Sequence, residues 1–186
     1  MTAGVTSRAI ISVSTITSGK KYAEVVFDNV LASFASRECV GIGSFVPVPD
    51  CLLVGITDGV CIAAHTDGTT SRLHKDTEGA ADGFSTGGPA ITNGMVCNIA
   101  FDVATGKVWL GLNGTYYYDI AGTMTAGGSP SAGTNPTLTT GLSTIHIGAG
   151  SYREFSAPDP GAKFTLRIQS SQFTGTIPSG FSAWYP

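Results

Sequence analysis

The chain is poor in charged residues and has no concentration of positive charge. Charged side chains make up 12% of the 186 residues, and the net charge at pH 7 is −3. The ten lysine and arginine residues are spread along the chain from Arg8 to Arg167. A protein that binds nucleic acid needs a basic patch or stripe to neutralise phosphates. This composition therefore argues against nucleic acid as a partner.

Long apolar runs and a signal segment are also missing from the sequence. No run approaches the roughly 20 apolar residues that span a bilayer. Residues 1–5 lack the basic start and apolar stretch of a secretory signal. We therefore expect no membrane insertion, and a chain that is made and folded in a cytoplasm.

Cysteine is scarce, and its four copies are not arranged as metal ligands. Cys39, Cys51, Cys61 and Cys97 each lie among apolar residues of a predicted strand. Thiols in such places behave as small hydrophobic side chains, so we expect them to be buried. A late disulfide in an oxidising medium is left open, because the sequence cannot choose the partners. No cofactor or metal site is predicted.

One string has the form of a catalytic motif, Gly83-Phe84-Ser85-Thr86-Gly87. The nucleophile elbow of this form needs its serine on a strained turn between a strand and a helix, whereas both flanks here predict a loop. His65, His74 and His146 lack the spacing of a zinc site or of a general base with its partner. We predict no catalytic residue. A hydrolase acting through Ser85 or a pair of carboxylates is the least favoured alternative.

The strongest structural signal lies near the middle of the chain. Odd-numbered residues from 95 to 103 are apolar, which predicts a strand with one apolar face. Ala104-Thr105-Gly106 predicts a turn, and the alternation over 108–112 predicts a second strand. Asn113-Gly114 is typical of a type I′ turn, which needs positive φ at both positions. A third strand begins at 116–118, so the whole stretch predicts a tight β-meander.

Turn signals at regular spacing extend this pattern over the chain. Strands are predicted at 11–13, 21–27, 39–42, 70–75, 145–148 and 164–168. Two further strands, 52–56 and 60–62, are predicted to form a hairpin around Asp58-Gly59. Turns are predicted at 18–20, before strand 21–27, and at Asp67-Gly68, before strand 70–75. Loops or irregular segments are predicted at 1–7 (an N-terminal arm), 28–37 (with a helical turn at 31–34), 47–49, 76–89 and 121–143 (a long Gly/Ser/Thr/Pro-rich loop). The final segment, 170–186, is expected to bury Phe173, Phe181 and Trp184. The pattern predicts an all-β fold, a single antiparallel two-sheet β-sandwich over residues 1–186.

Three segments also match one family pattern in the same order. They are Ser18-Gly19-Lys20-Lys21-Tyr22-Ala23-Glu24-Val25; Gly94, 99–102, Gly106-Lys107, Trp109 and Asn113-Gly114; and Phe173 with Pro178-Ser179-Gly180-Phe181-Ser182-Ala183-Trp184. Over residues 7–186 the chain resembles the SPRY (B30.2-like) domain in the form found in bacteriophage and prophage virion proteins. The resemblance implies a concanavalin-like jelly roll. It also places Glu24 and Asp102 at family positions, where we expect them to accept hydrogen bonds from turn amides.

The resemblance implies that the chain is a non-enzymatic component of a virus particle. The first hypothesis is a bacteriophage virion protein, located in the virion, whose loops bind a glycan or protein receptor on the host surface. The alternative is a capsid-decoration or tail/baseplate subunit that binds other virion proteins. A homo-oligomer such as a trimer is left open.

Five residues are candidate binding residues. Arg72 and His74 lie near a predicted hairpin end, and Tyr152 and Arg153 lie in a predicted Gly- and Ser-rich turn. Tyr117 belongs to a tyrosine triplet whose alternation turns at least one ring outward. Tyrosine and arginine are favoured at binding surfaces because they offer large contact area at low entropic cost. The alternative is that these side chains cap the core and the sheet faces.

Replacing Trp109 with alanine tests whether its ring is packed inside the protein. A packed ring predicts that Trp109→Ala lowers the free energy of unfolding by about 3–5 kcal/mol in urea denaturation. A loss below about 1 kcal/mol would mean that the ring faces solvent and is free to bind.

Overall fold

The structure is a computed structural model, and it is built almost wholly of strands. It describes residues 8–11, 16–30, 36–45, 56–64, 69–76, 83–141, 145–153 and 162–185. In these ranges the strands are β1 (Arg8–Ile11), β2 (Lys20–Asn29), β3 (Ser36–Phe45), β4 (Ile56–Ala64), β5 (Thr70–Asp76), β6 (Gly83–Pro89), β7 (Val96–Asp102), β8 (Lys107–Leu112), β9 (Thr115–Ile120), β10 (Thr123–Gly128), β11 (Leu138–Thr139), β12 (His146–Arg153), β13 (Lys163–Arg167) and β14 (Ser182–Ala183). A single 3₁₀ turn over Ser170–Gln172 accompanies them. None of the described residues forms a helix of the length and apolar character needed to cross a membrane.

The strands form two layers joined along one side. The first sheet has the order β1-β12-β3-β4-β5-β6, and the second has the order β10-β9-β8-β7-β2-β13. Neighbours within each layer are antiparallel, whereas β6 and β10 run parallel and pair at Thr86 and Thr123. β11 adds to β8, and β14 adds in parallel to β2. The predicted two-sheet sandwich is confirmed, and its layers form one continuous curled sheet.

The main core lies between the two layers because each strand turns alternate residues inward. Five core side chains are fully buried at 0% exposure: Val40, Ile62 and Leu73 from the first sheet, and Ile99 and Phe101 from the second. They belong to one apolar cluster.

Three of the four cysteines are buried, as expected of thiols that act as small hydrophobic groups. Cys39, Cys61 and Cys97 are each at most 5% exposed. Burial raises the pKa of the Cys61 and Cys97 thiols, so both stay protonated. Cys51 lies outside the described residues.

The predicted β-meander is confirmed as β7, β8 and β9. Asn113 and Gly114 have φ of 48° and 84°, so both central positions of the β8–β9 turn are left-handed, as type I′ requires. Gly106 in the β7–β8 turn has φ of 65°. A Cβ there would also overlap the carbonyl oxygen of Thr140, so the position needs glycine for two reasons.

The hairpin predicted at Asp58-Gly59 is wrong, because β4 runs through both residues. Gly43 pairs with Gly59 and Ser44 pairs with Thr57, so Asp58 is the extra residue of a β-bulge. A glycine inside a strand pattern is as typical of a bulge as of a turn, and the sequence alone does not separate the two.

Two stretches predicted as loops also contain strands. β6 lies within 76–89, and β10 and β11 lie within 121–143. Their small residues permit close approach at the junction of the layers: a Cβ on Gly88 would overlap Ser71 and Met124. A low-complexity composition here reflects tight packing rather than an absence of pairing.

Thr137 fills a fork where β9 separates from β8 and β11 takes its place. The Thr137 hydroxyl accepts a hydrogen bond from the amide of Leu110 at 2.8 Å and donates to the carbonyl of Tyr117 at 2.5 Å. The Thr137 amide donates to the carbonyl of Val108 at 2.8 Å. One buried side chain therefore replaces a missing ladder bond.

The remaining predictions are either confirmed or lie outside the described residues. Predicted strands at 21–27, 39–42 and 70–75 are confirmed within β2, β3 and β5, and those at 145–148 and 164–168 are confirmed as β12 and β13 except for one end residue each, 145 and 168. The arm at 1–7, the helical turn at 31–34, the prolines at 47–49, the Asp67-Gly68 turn and His65 lie outside the described residues.

Thr137→Val keeps the shape of the side chain but removes both of its side-chain hydrogen bonds. We expect the free energy of unfolding to fall by about 1–3 kcal/mol, because a buried amide and a partly buried carbonyl lose their partner. Urea denaturation measures the change. Thr139→Val, at an exposed neighbouring position, is the control and should stay within about 0.5 kcal/mol. Equal losses in the two variants would contradict the bridging role.

Candidate functional site

A row of residues, which we call the transverse row, crosses the outer face of the second sheet. Register pairs Arg167 with Glu24, Glu24 with Asn98, Asn98 with Gly111, and Gly111 with Tyr116. Neighbouring residues along each strand face the main core, so the row lies on the opposite side of the sheet. Pairing thus brings together polar residues from four strands, with Gly111 of a fifth strand between Asn98 and Tyr116.

A pocket of about 510 Å³ lies over this row. It sits between the β8–β9 turn and the segment 174–176. Its lining consists of Tyr22, Val96, Asn98, Asn113, Gly114, Tyr116, Thr174, Gly175 and Thr176. We call it the outer-face pocket.

The side of the pocket formed by the sheet and the turn is held by buried hydrogen bonds. Asn98 Nδ2 donates to the hydroxyl of Tyr22 at 2.8 Å, and Asn98 Oδ1 accepts from the amide of Gly114 at 2.7 Å. The amide of Val96 donates to Asn113 Oδ1 at 2.9 Å. Asn98 is only 2% exposed. Its side-chain amide links the β8–β9 turn to β2 through these two hydrogen bonds.

The opposite wall is held by a buried carboxylate. Glu24 is 0% exposed. Its Oε2 accepts from the amide of Thr174 at 3.0 Å, and its Oε1 accepts from the amide of Gly175 at 2.8 Å. Tyr22 donates to Oε1 at 2.9 Å, and Arg167 Nη1 lies 3.4 Å from Oε2. The carboxylate therefore fastens the segment 174–176 to the sheet.

Both carboxylates expected to accept hydrogen bonds from turn amides do so. Asp102 Oδ1 accepts from the amide of Ala104 in the β7–β8 turn at 3.1 Å, and Glu24 accepts from two amides. Burial by itself would raise the pKa of Glu24, but the hydrogen bonds from Thr174, Gly175, Tyr22 and Arg167 outweigh it. The pKa of Glu24 is therefore lowered below its usual value.

Gly175 is needed for this approach. A Cβ at this position would lie 2.9 Å from Glu24 Oε1 and 3.1 Å from the Tyr22 hydroxyl. A larger residue would therefore displace the Glu24 carboxylate or the segment.

The closing segment, from residue 170 onward, also places aromatic side chains against the sheet: Trp184 is buried, as predicted, whereas Phe173 and Phe181 are only half-buried. Phe173 packs edge-on against Tyr22 with ring centroids 4.9 Å apart, and Phe181 packs against Trp109 at 6.1 Å. Trp184 is 2% exposed. Trp109 is 1% exposed, and its indole donates to the carbonyl of Thr134 at 2.8 Å. Trp109 therefore belongs to a second apolar cluster on the outer face, and its ring is not available to a ligand.

Tyr116 is the aromatic residue of the tyrosine triplet that the structure places at the pocket. Its ring lies above Gly111, where a Cβ would come within 3.1 Å of the ring. Burial raises its pKa, so the phenol stays protonated. Among the described residues its hydroxyl has no hydrogen-bond partner.

None of the five candidate binding residues lines this pocket. Arg72, half-buried, and His74, 8% exposed, lie on β5 of the first sheet. Tyr117 packs half-buried against the main core, and burial raises its pKa. The turn predicted at Tyr152 and Arg153 is wrong, because both residues belong to β12. Their roles in binding stay predictions.

Sequence reasoning missed most of the pocket. It noted Glu24 as a hydrogen-bond acceptor and the tyrosine triplet as a source of an outward ring. Asn98, Thr174 and Gly175 lie on separate segments, and only the strand register and the position of the segment bring them together. A signal was present in Gly111, a glycine inside an apolar strand, which is typical of a close approach.

Ser85 does not have the geometry of a nucleophile elbow. It lies in the middle of β6, not between a strand and a helix, and is 2% exposed. Its hydroxyl donates to the carboxylate of Asp119, which also lies 3.5 Å from Lys75 Nζ. Within the described part of the chain, no group of three side chains is placed to hold a metal ion.

Comparisons with known proteins show the fold. No protein-family model and no curated protein matches the chain. The SPRY domain of human HERC1 is similar at a TM-score of 0.51 and 14% identity, over 89% of this chain and 84% of that one. The TRIM65 PSpry domain (TM-score 0.41, 10% identity, 78% and 69% covered) and the Caenorhabditis elegans galectin LEC-6 (TM-score 0.38, 14% identity, 82% and 90% covered) are more distant. The likeness to the HERC1 domain shows an SPRY-type β-sandwich fold, as predicted.

Glu24→Gln tests whether the carboxylate fastens the segment 174–176. The pKa of Glu24 is lower in the folded chain than in the unfolded chain, so the ionised carboxylate stabilises the folded state. This stabilisation is complete above the pKa of the unfolded chain, about 4.3, and is lost as the pH falls below that value. We expect the variant to be less stable than the parent chain at pH 7, and the difference to shrink towards pH 3.5. Urea denaturation across this range measures it. Asp28→Asn, on the same strand but exposed, is the control. A difference that stays constant with pH would contradict the assignment.

Proposed function

We propose that the chain is a non-enzymatic binding module of a bacteriophage virion, and that it attaches to a component of the host surface through the outer-face pocket. The observation that carries this proposal is the pocket itself. Its volume, about 510 Å³, falls within the usual range of small-ligand sites, about 300–1,000 Å³.

The order of the pocket walls supports a role in binding. Tyr22 and Glu24 are each 0% exposed, and Asn98 is 2% exposed. All three hold the walls through hydrogen bonds made within the chain. A site that is already ordered loses less conformational entropy when a ligand binds. The β8–β9 turn and the segment 174–176 present the pocket, in line with binding through loops and turns on a rigid scaffold.

The virion setting is supported by the resemblance of the closing segment to phage versions of the SPRY domain. Phe173 and Phe181, both part of that resemblance, cover the outer face of the second sheet. The same segment supplies the pocket wall. The proposal places the chain in the virion after synthesis in the host cytoplasm, and the position of Ser85 inside a strand supports a non-enzymatic role.

Binding of the labelled chain to a panel of bacterial cells and their envelope fractions tests the proposal. We expect saturable binding that Tyr116→Ala weakens about tenfold or more, because an aromatic residue that lines a binding site contributes strongly. Tyr118→Ala is the matched control, since Tyr118 is half-buried on the same strand and face but does not line the pocket.

Failure to bind any cell or envelope fraction would overturn the proposal. A chain that ignores cells but stays attached to assembled particles would favour the capsid-decoration or tail/baseplate alternative. Light scattering on the same sample shows whether the chain acts as an oligomer such as a trimer.

A further inference from the structure

We infer that the outer-face pocket takes an uncharged, hydroxyl-rich ring, such as a hexopyranose unit of a surface glycan, and that Tyr116 forms the platform under it. This inference rests on the proposed function and names its ligand class. Four features of the pocket carry it.

The first feature is the absence of a charged side chain from the lining. Every lining residue is a tyrosine, asparagine, threonine, valine or glycine. The charged members of the transverse row, Glu24 and Arg167, lie 3.4 Å apart and neutralise each other. A phosphate, a carboxylate or a lysine side chain would lose its hydration here without gaining an opposite charge. The lining therefore selects against charged ligands.

The second feature is a set of polar groups left available at the surface of the pocket. Among the described residues, the Tyr116 hydroxyl, Asn113 Nδ2 and the Thr176 hydroxyl have no hydrogen-bond partner. A hydroxyl both donates and accepts, and an amide nitrogen donates. This combination matches the alternating donor and acceptor capacity of sugar hydroxyls.

The third feature is the aromatic platform. Tyr116 stands above Gly111, where the sheet has no side chain, and its ring is half-buried. An amphipathic aromatic ring gives an apolar face to the C–H side of a pyranose and a hydroxyl to its edge.

The fourth feature argues against an extended peptide. Recognition of a peptide as an added strand needs an unpaired sheet edge. The pocket lies over β2, β7 and β9, each of which has a strand on both sides in the second sheet. Their ladder bonds are already used, so a compact ring fits the site better than a peptide strand.

Titration calorimetry of the intact chain with neutral gluco-, galacto- and manno-configured oligosaccharides, and with sialylated and uronic-acid oligosaccharides, tests the ligand class. We expect at least one neutral sugar to bind and the charged sugars to bind more weakly. Binding only by charged sugars, or by no sugar, would overturn the inference.

Two substitutions test whether the sugar binds in the outer-face pocket. Tyr116→Phe and Thr176→Val each remove one hydroxyl while keeping shape, and each should weaken sugar binding by about three- to tenfold, the effect of one lost hydrogen bond. Tyr118→Phe removes a hydroxyl outside the lining and should leave the affinity unchanged. Unchanged affinity in all three variants would overturn the location.

Treatment of cells separates the inference from the proposed function. Periodate, which cleaves sugar diols, should abolish binding to cells, whereas protease should not. Binding lost only with protease would overturn the sugar ligand and leave host-surface attachment standing. Pocket-dependent sugar binding without any binding to cells would support the sugar ligand and overturn host-surface attachment.

Discussion

The outer face of this sandwich depends on one buried carboxylate. Glu24 is 0% exposed and is placed where a charge is costly unless hydrogen bonds surround it. The amides of Thr174 and Gly175 meet that need, together with Tyr22 and Arg167. The requirement works in both directions: the carboxylate fixes the closing segment, and the segment removes the carboxylate from water. The pocket wall and the aromatic cover over Trp109 both follow from this arrangement.

The stretches with the least distinctive sequence have a comparable part in the fold. Gly88 permits the close contact at the junction of the two layers, and Thr137 bridges the fork between β8 and β9. Small residues and single hydroxyls contribute little to hydrophobic periodicity, yet they set how the sheet curls and where a strand departs.

Much of the fold could be predicted because alternation with a period of two is a local property. The meander from Val96 to Ile120 was readable in this way, whereas the acceptor role of Glu24 was implied by the resemblance to the SPRY domain. The pocket was not readable, because it depends on register between distant strands. The tyrosine triplet shows the limit: alternation separates Tyr117 from its neighbours but does not say which face meets the core. Choosing Tyr117 left Tyr116 unassigned. The Asp58-Gly59 pair predicted a hairpin turn, but it fits a bulge within a strand as well.

The link from Glu24 to Thr174 joins residues 150 positions apart in the chain. During synthesis, β2 leaves the ribosome early, whereas the amides of Thr174 and Gly175 that bind its carboxylate follow only after all the other described strands except β14. The pocket wall at 174–176 therefore forms only after the strands that precede it in the chain have been made. A chain that stopped before residue 174 would hold most of the described strands and still lack one wall of the pocket.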